Sequence, residues 1–198
     1  MKAALFAMVV SCETLLGAGL LASFWHPGQR VWPPPGRRSW QYWSTWILTD
    51  LAIGGILALG ILDWNGFAVP PWLRAVGAAL LGAGLLFAWW AVRTLSFHAS
   101  LGLGGAFVTR GPYRISRNPQ YVGDIAALLG YALLSNSAIT LAAAVIGSFW
   151  FAFAPLVEEP WLRARYGAAY DQYCFTVPRF LGRPRRAGPR ETPGASGP

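Results

Sequence analysis

The sequence predicts an all-α integral membrane protein, with five transmembrane helices and a C-terminal amphipathic helix on the cytosolic surface. Composition is the first reason. Of 198 residues, 55% are hydrophobic and 12% charged, whereas a soluble domain carries about 25% charged residues. Lipid must therefore solvate most of the chain. The second reason is a series of apolar runs separated by short polar or proline-rich connections. The third is that arginine concentrates in alternate connections only.

Residues 3–25 form the first span, interrupted only by Ser11, Glu13 and Thr14. Lys2 ahead of an apolar run also fits a signal peptide, but the run is long and ends on Phe24-Trp25, an interfacial anchor. Residues 26–42 are a basic, aromatic connection, and Pro33-Pro34-Pro35 excludes helix at its centre. Residues 43–62 give the second span, with Asp50 inside it. A turn follows at 63–71, and the glycine-rich third span at 72–92. Residues 93–118 form a basic loop. Residues 119–134 are short for a crossing, which needs about 20 residues. Ser135-Asn136-Ser137 turns them directly into the fifth span, 138–157. The surface helix is expected at 158–173. Residues 1–181 then form one membrane domain, followed by a disordered basic tail at 182–198.

Charge orients these spans. The 26–42 connection holds Arg30, Arg37 and Arg38, and the 93–118 loop holds Arg93, Arg110, Arg114 and Arg117. The 63–71 and 135–137 turns hold no basic residue. The segregation places the N-terminus outside and the C-terminus in the cytosol, with only Lys2 and Arg74 against it. The net charge of +8 accordingly points to anionic lipid at the cytosolic face rather than to nucleic acid. Two histidines and two separated cysteines, Cys12 and Cys174, indicate neither a metal site nor a disulfide.

The most informative stretch is 109–124. It gathers Arg110, Arg114 and Arg117 around Gly111-Pro112 and Asn118-Pro119, whose prolines stiffen the chain. Pro119 suits the first position of the next helix. Guanidiniums on stiff backbone beside a membrane fit an anion-binding ledge, but on the charges alone a loop whose arginines only set topology fits better.

Residue order separates these readings. Gly111-Pro112-Tyr113-Arg114, three residues, then Asn118-Pro119-Gln120-Tyr121-Val122-Gly123 resembles the signature of the isoprenylcysteine carboxyl methyltransferase family. That signature usually reads Arg-His-Pro-x-Tyr; the related phospholipid methyltransferases carry Asn-Pro there, as here. A second block agrees: Glu158-Glu159-Pro160, Tyr166-Gly167, Tyr170, Tyr173 and Val177-Pro178-Arg179-Phe180. The resemblance covers about residues 72 to 181, and the first 70 residues add nothing diagnostic. It implies an integral membrane methyltransferase that uses S-adenosylmethionine as cofactor, with Glu158 and Glu159 at its binding site. Gly82-Ala83-Gly84 resembles the family's Gly-x-Gly beside the cofactor, although close helix packing explains it equally.

The remaining roles follow from side-chain chemistry. Adjacent helical residues point about 100° apart, so Glu158 and Glu159 cannot share one pocket equally. One fits a ligand amine or ribose, the other an arginine. Both would also suit the first turn of a surface helix. Arg117 is expected to face an anionic substrate or the cofactor carboxylate. Asn118 can orient a ligand but cannot act as a base. Tyr113 and Tyr121 would offer aromatic faces to a sulfonium, interfacial anchoring being their alternative. Pro119 is counted with the cofactor-binding residues, and Arg117, Tyr121 and Asp124 with the catalytic ones. Glu13, Asp50 and Asp124 lie within spans, at an insertion cost of about 2.5–3.5 kcal/mol each. Glu13 and Asp50 are expected to pair with loop arginines.

The expected reaction is methyl transfer from S-adenosylmethionine to an amphiphilic or lipophilic substrate entering from the bilayer. The lack of a clear base favours a carboxylate acceptor on a prenylated or lipid-like molecule. A nicotinamide-dependent membrane reductase of the sterol type is one alternative, and a non-enzymatic small transporter or scaffold another. Reporter fusions at Gly66 and Arg190 should report opposite sides of the membrane; finding both on one side would overturn the five-span topology.

Overall fold

Proline and serine set where the helices begin. Ser39 and Ser137 cap their helices by accepting from the amides of Tyr42 and Thr140, and Pro71 and Pro119 occupy first helical positions, where no amide donor is needed. The computed structural model describes residues 1–68 and 70–182, and the expected disordered tail lies outside them from residue 183 onward. Among the described residues the regular structure is helical: α1 (Lys2–Trp25), α2 (Trp40–Leu62), α3 (Pro71–Leu95), α4 (Pro119–Ser135), α5 (Ala138–Tyr166) and α6 (Ala168–Thr176).

Four of these, α1, α2, α3 and α5, are long and apolar enough to cross a membrane. Their outer faces expose Ile61, Trp72, Leu86 and Phe149, which only a lipid surround tolerates on this scale. The chain is thus a multi-pass integral membrane protein. α4 has 17 residues and spans about 26 Å at 1.5 Å per residue.

α4 is held to α3 by a seam almost free of side chains. A Cβ on Gly84 would stand 2.6 Å from the Ala127 amide and the Gly123 carbonyl oxygen. One on Gly123 would stand 2.6 Å from the Ala88 amide and the Gly84 carbonyl oxygen. Gly77 meets Leu134 and Gly130 in the same way, so the two helices run antiparallel in backbone contact. Gly82 meets nothing within 4 Å and faces outward.

The expected boundary between a span ending at 157 and a surface helix at 158–173 is displaced. α5 continues through Pro155 and Pro160 to Tyr166 and ends at Gly167, whose φ of 57° favours glycine. Polarity changes at Glu158, but the backbone breaks only where a residue permits it. α6 then turns back toward the bundle.

The two cations that ran against the charge pattern are tied down locally at the end opposite Glu158. Lys2 pairs with Asp63 at 2.7 Å, and Ser137 donates to the same carboxylate. Hydrogen bonds from Lys2 and Ser137 hold the Asp63 carboxyl below its usual range. Arg74 donates to Asn65 at 2.7 Å and to the Leu134 carbonyl. The expected pairing of Glu13 with an arginine does not occur: its carboxyl lies against Gly147 of α5, where no Cβ intervenes. Asp50 is exposed on α2.

Gly84→Ala should cost about 1–3 kcal/mol of stability because backbone must move to admit it. Gly82→Ala should be neutral or stabilise by up to about 1 kcal/mol through helix propensity. Thermal unfolding of both variants in detergent checks this, and equal midpoints would contradict the seam.

Candidate active site

The two sequence blocks meet in space. The Arg117 amide donates to the Pro178 carbonyl at 2.9 Å, the Asn118 side-chain amide to the Arg179 carbonyl at 3.0 Å, and Ser116 Oγ to that carbonyl at 3.2 Å. The Tyr173 hydroxyl donates to the Tyr113 carbonyl at 2.7 Å. The segment after α6 therefore lies on the start of α4.

Behind this contact is an ion cluster centred on Glu159, which is 3% exposed. Arg179 grips it with two parallel bonds, Nε to Oε1 at 2.7 Å and Nη2 to Oε2 at 2.8 Å. Arg117 Nη1 lies 3.0 Å from Oε1, and Arg163, one turn along α5, lies 3.7 Å from Oε2. Glu158 turns the other way, and its Oε1 accepts from Trp32 Nε1 and from the Tyr121 hydroxyl.

Glu158 helps line a polar cleft of about 130 Å³. Tyr113, Arg117, Asn118 and Tyr121 come from the first block, Tyr170 and Tyr173 from α6. The loop Gly102–Ala106 forms another wall, with Gly102 and Gly104 at φ values of 77° and 76° that favour glycine. A Cβ on Gly102 would stand 2.8 Å from the Trp32 ring. Burial pushes the phenols of Tyr113, Tyr170 and Tyr173 well above their ordinary range, so they are neutral donors at neutral pH.

Toward the membrane interior lies an apolar cavity of about 580 Å³ between α2, α3, α4 and α5. Asp124 is the acid among its described lining residues. Ile53, Leu57 and Leu85 line it and are 38%, 45% and 55% exposed, so it opens sideways between α2 and α3. Trp32, Ser100, Gln120 and Tyr121 belong to both walls and form the neck between cleft and cavity.

The structure thus gathers Tyr113, Arg117, Asn118, Tyr121 and Glu158 at one cleft, and sets Asp124 in the adjoining cavity. Four expected cofactor residues fall elsewhere. Gly84 is consumed by the α3–α4 seam and Gly82 faces outward. Pro119 is fully buried at the start of α4, and Glu159 is enclosed by its arginines. Arg117 turns to Glu159 and Cys174 rather than to the lateral opening, and its buried Nε–H has no partner.

Sequence reasoning missed Trp32, Ser100, Gln120 and the 102–106 loop, and gave Arg179 a place in the second block without a role. Three glycines in four residues, Gly102, Gly104 and Gly105, were the available signal for the loop. Trp32 gave none, because its role depends on a fold contact with residue 158.

Glu159→Gln should cost about 3–5 kcal/mol by leaving its arginines without a charged partner. Glu158→Gln keeps an acceptor oxygen for Trp32 and Tyr121, so its unfolding midpoint should stay near wild type. Thermal unfolding of both variants in detergent separates the structural from the cleft-lining glutamate; equal losses would contradict the division.

Residues 72–169 match the family model for phospholipid methyltransferase. Phosphatidylethanolamine N-methyltransferase of Rattus norvegicus is 35% identical over 103 residues, covering 46% of this chain and 49% of the relative. Its Homo sapiens counterpart is 32% identical over 108 residues, covering 48% and 51%. The chain thus spans about half the length of the curated relatives it matches. No solved structure matches it significantly. The matches do not favour the reductase or transporter readings. Through residues 72–169, just under half of its length, the chain is thus similar to the phospholipid methyltransferase family.

Proposed function

We propose that the protein transfers a methyl group from S-adenosylmethionine to a nitrogen of a membrane-borne lipid amphiphile. One observation carries this: a polar cleft and a laterally open apolar cavity share a neck of four residues, with Glu158 and Tyr121 hydrogen-bonded beside it. A water-soluble donor and a lipid acceptor need such a meeting point. The relatives' names favour nitrogen over the carboxylate expected from sequence.

The cleft fits the cofactor's chemistry. The partnerless Nε–H of buried Arg117 suits its carboxylate, and Arg117 lines the cleft but not the apolar cavity. Glu158 suits its ammonium or ribose hydroxyls, and the Tyr113 and Tyr121 faces suit its positive charge. Bound there, S-adenosylmethionine would supply a sulfonium methyl, an electrophile open to in-line displacement. Tyr121 orients the acceptor at the neck. Asp124, three residues along α4 and within reach of Gln120, accepts the proton that an ammonium acceptor must lose. Apolar walls exclude water from the displacement.

In this reading α4 crosses with α5 as a helical hairpin, giving five spans with the N-terminus outside and the cleft cytosolic. α6 rests at that surface, where the arginines meet anionic lipid.

Calorimetry in nanodiscs should show S-adenosylmethionine binding, weakened by about 1.5–3 kcal/mol in Glu158→Gln through loss of a charged hydrogen bond. Asp124→Asn should lower turnover about 10²–10⁴-fold, as loss of a general base does, while cofactor affinity stays unchanged. Absent cofactor binding would overturn the donor assignment, and full turnover in Asp124→Asn its role.

A further inference from the structure

Glu13 is a buried acid that the proposed reaction leaves unused. It sits midway along α1 and is 6% exposed, yet neither carboxyl oxygen has a hydrogen-bond partner among the described residues. The carboxyl faces α5 where that helix has no side chain, and a Cβ on Gly147 would stand 2.6 Å from Oε1. Trp150, three residues along α5 and on the same face, carries a buried indole N–H that is likewise without a partner among the described residues. Both residues line a small cavity of about 30 Å³. It is a recess of the large apolar one, because Thr49, Ile53, Leu128 and Trp150 line both. Leu128 lies seven residues along α4 from Tyr121, which sets the recess about 10 Å below the neck at 1.5 Å per residue. A buried carboxyl and a buried N–H without partners oppose folding, and leucine at position 13 would avoid the larger part of that cost.

We propose that Glu13 and Trp150 bind a hydroxyl group carried on the apolar part of the acceptor lipid, about 10 Å from the nitrogen that is methylated. A hydroxyl donates to the Glu13 carboxyl and accepts from the Trp150 N–H at once. An ester or ketone oxygen would use the N–H and leave the carboxyl bare, and an ammonium would meet the N–H as a second donor. Size agrees: the recess admits a group as large as one or two waters, and has no room for a phosphate or for an amide with its two substituents. The inference rests on the methyl-transfer reading only in treating the occupant of the cavity as the acceptor.

The test measures saturable binding of radiolabelled phosphatidylethanolamine to the full chain in nanodiscs. The lipid carries either plain chains or a hydroxyl at successive positions along one chain. Wild type should bind the isomer whose hydroxyl reaches the recess at least about tenfold more tightly than the plain lipid, as two added hydrogen bonds do. Glu13→Leu should erase that preference while binding the plain lipid no worse than wild type, and its thermal midpoint without added lipid should equal or exceed that of wild type. Glu13→Gln keeps an acceptor oxygen and should retain part of the preference. Gly147→Ala, whose Cβ displaces the carboxyl, should erase it with residue 13 unchanged. Equal binding of plain and hydroxylated lipids by wild type would leave Glu13 to a bound water and overturn the site. So would a preference that survives Glu13→Leu, or equal weakening of both lipids in that variant. A wild-type protein that shows the positional preference but transfers no methyl group to the preferred lipid would support the site and overturn the methyl-transfer reading instead.

Discussion

The buried carboxylate of Glu159 and the arginines around it bear the geometry of the end of the bundle that holds the cleft. Removing a carboxylate from water costs several kcal/mol, and only well-placed countercharges with matching hydrogen bonds offset that. Here the offset comes from separate parts of the chain: Arg117 from the loop before α4, Arg163 from α5, and Arg179 from the segment after α6. The three can meet only if α6 folds back and the Val177–Phe180 segment lies on residues 116–118. The backbone bonds between those segments secure the same arrangement. With Glu159 turned into the cluster, helical geometry sends Glu158 about 100° away, into the cleft.

A second constraint fixes what faces the apolar cavity. Gly123 and Gly130, seven residues apart on α4, press against Gly77, Gly84 and Ala88 of α3. With that face committed, Tyr121, Asp124, Leu128 and Tyr131 form a stripe at spacings of three and four that lines the cavity. A bulkier residue at either glycine would separate the helices and move Tyr121 away from Glu158. The seam therefore sets the register of the neck, although none of its glycines lines the cleft.

Much of this was legible in the sequence where chemistry is local. Asn118-Pro119 starts a helix because proline fixes φ and needs no donor, and the Glu158-Glu159 dipeptide had to split its roles because adjacent helical residues diverge. The two blocks were recognisable as a pair, though the bonds joining 116–118 to 178–179 were not. Longer-range packing was hidden. Gly82-Ala83-Gly84 offers two glycines on different helix faces, and only the partner helix decides that one is packed and the other bare. The end of α5 was misjudged because polarity changes at 158 while the backbone breaks at Gly167. Trp32, in a connection with no diagnostic motif, gains its place through contacts distant in sequence, among them its bond to Glu158 across 126 positions.

The placement of acids on the two sides of the neck bears on the acceptor. Glu158 lines the polar cleft and already accepts hydrogen bonds from Trp32 and Tyr121, which fix its carboxylate and suit it to orient a ligand. Asp124 lines the apolar cavity, which opens sideways between α2 and α3. A carboxylate acceptor would gain nothing from a second carboxylate there, since two like charges in a low-dielectric wall repel. An ammonium gains twice: it is attracted as a cation, and it can pass on the proton that blocks its lone pair. Under the proposed methyl transfer, Asp124, counted with the catalytic residues from sequence, therefore favours nitrogen over oxygen as the nucleophile, independently of the relatives' names.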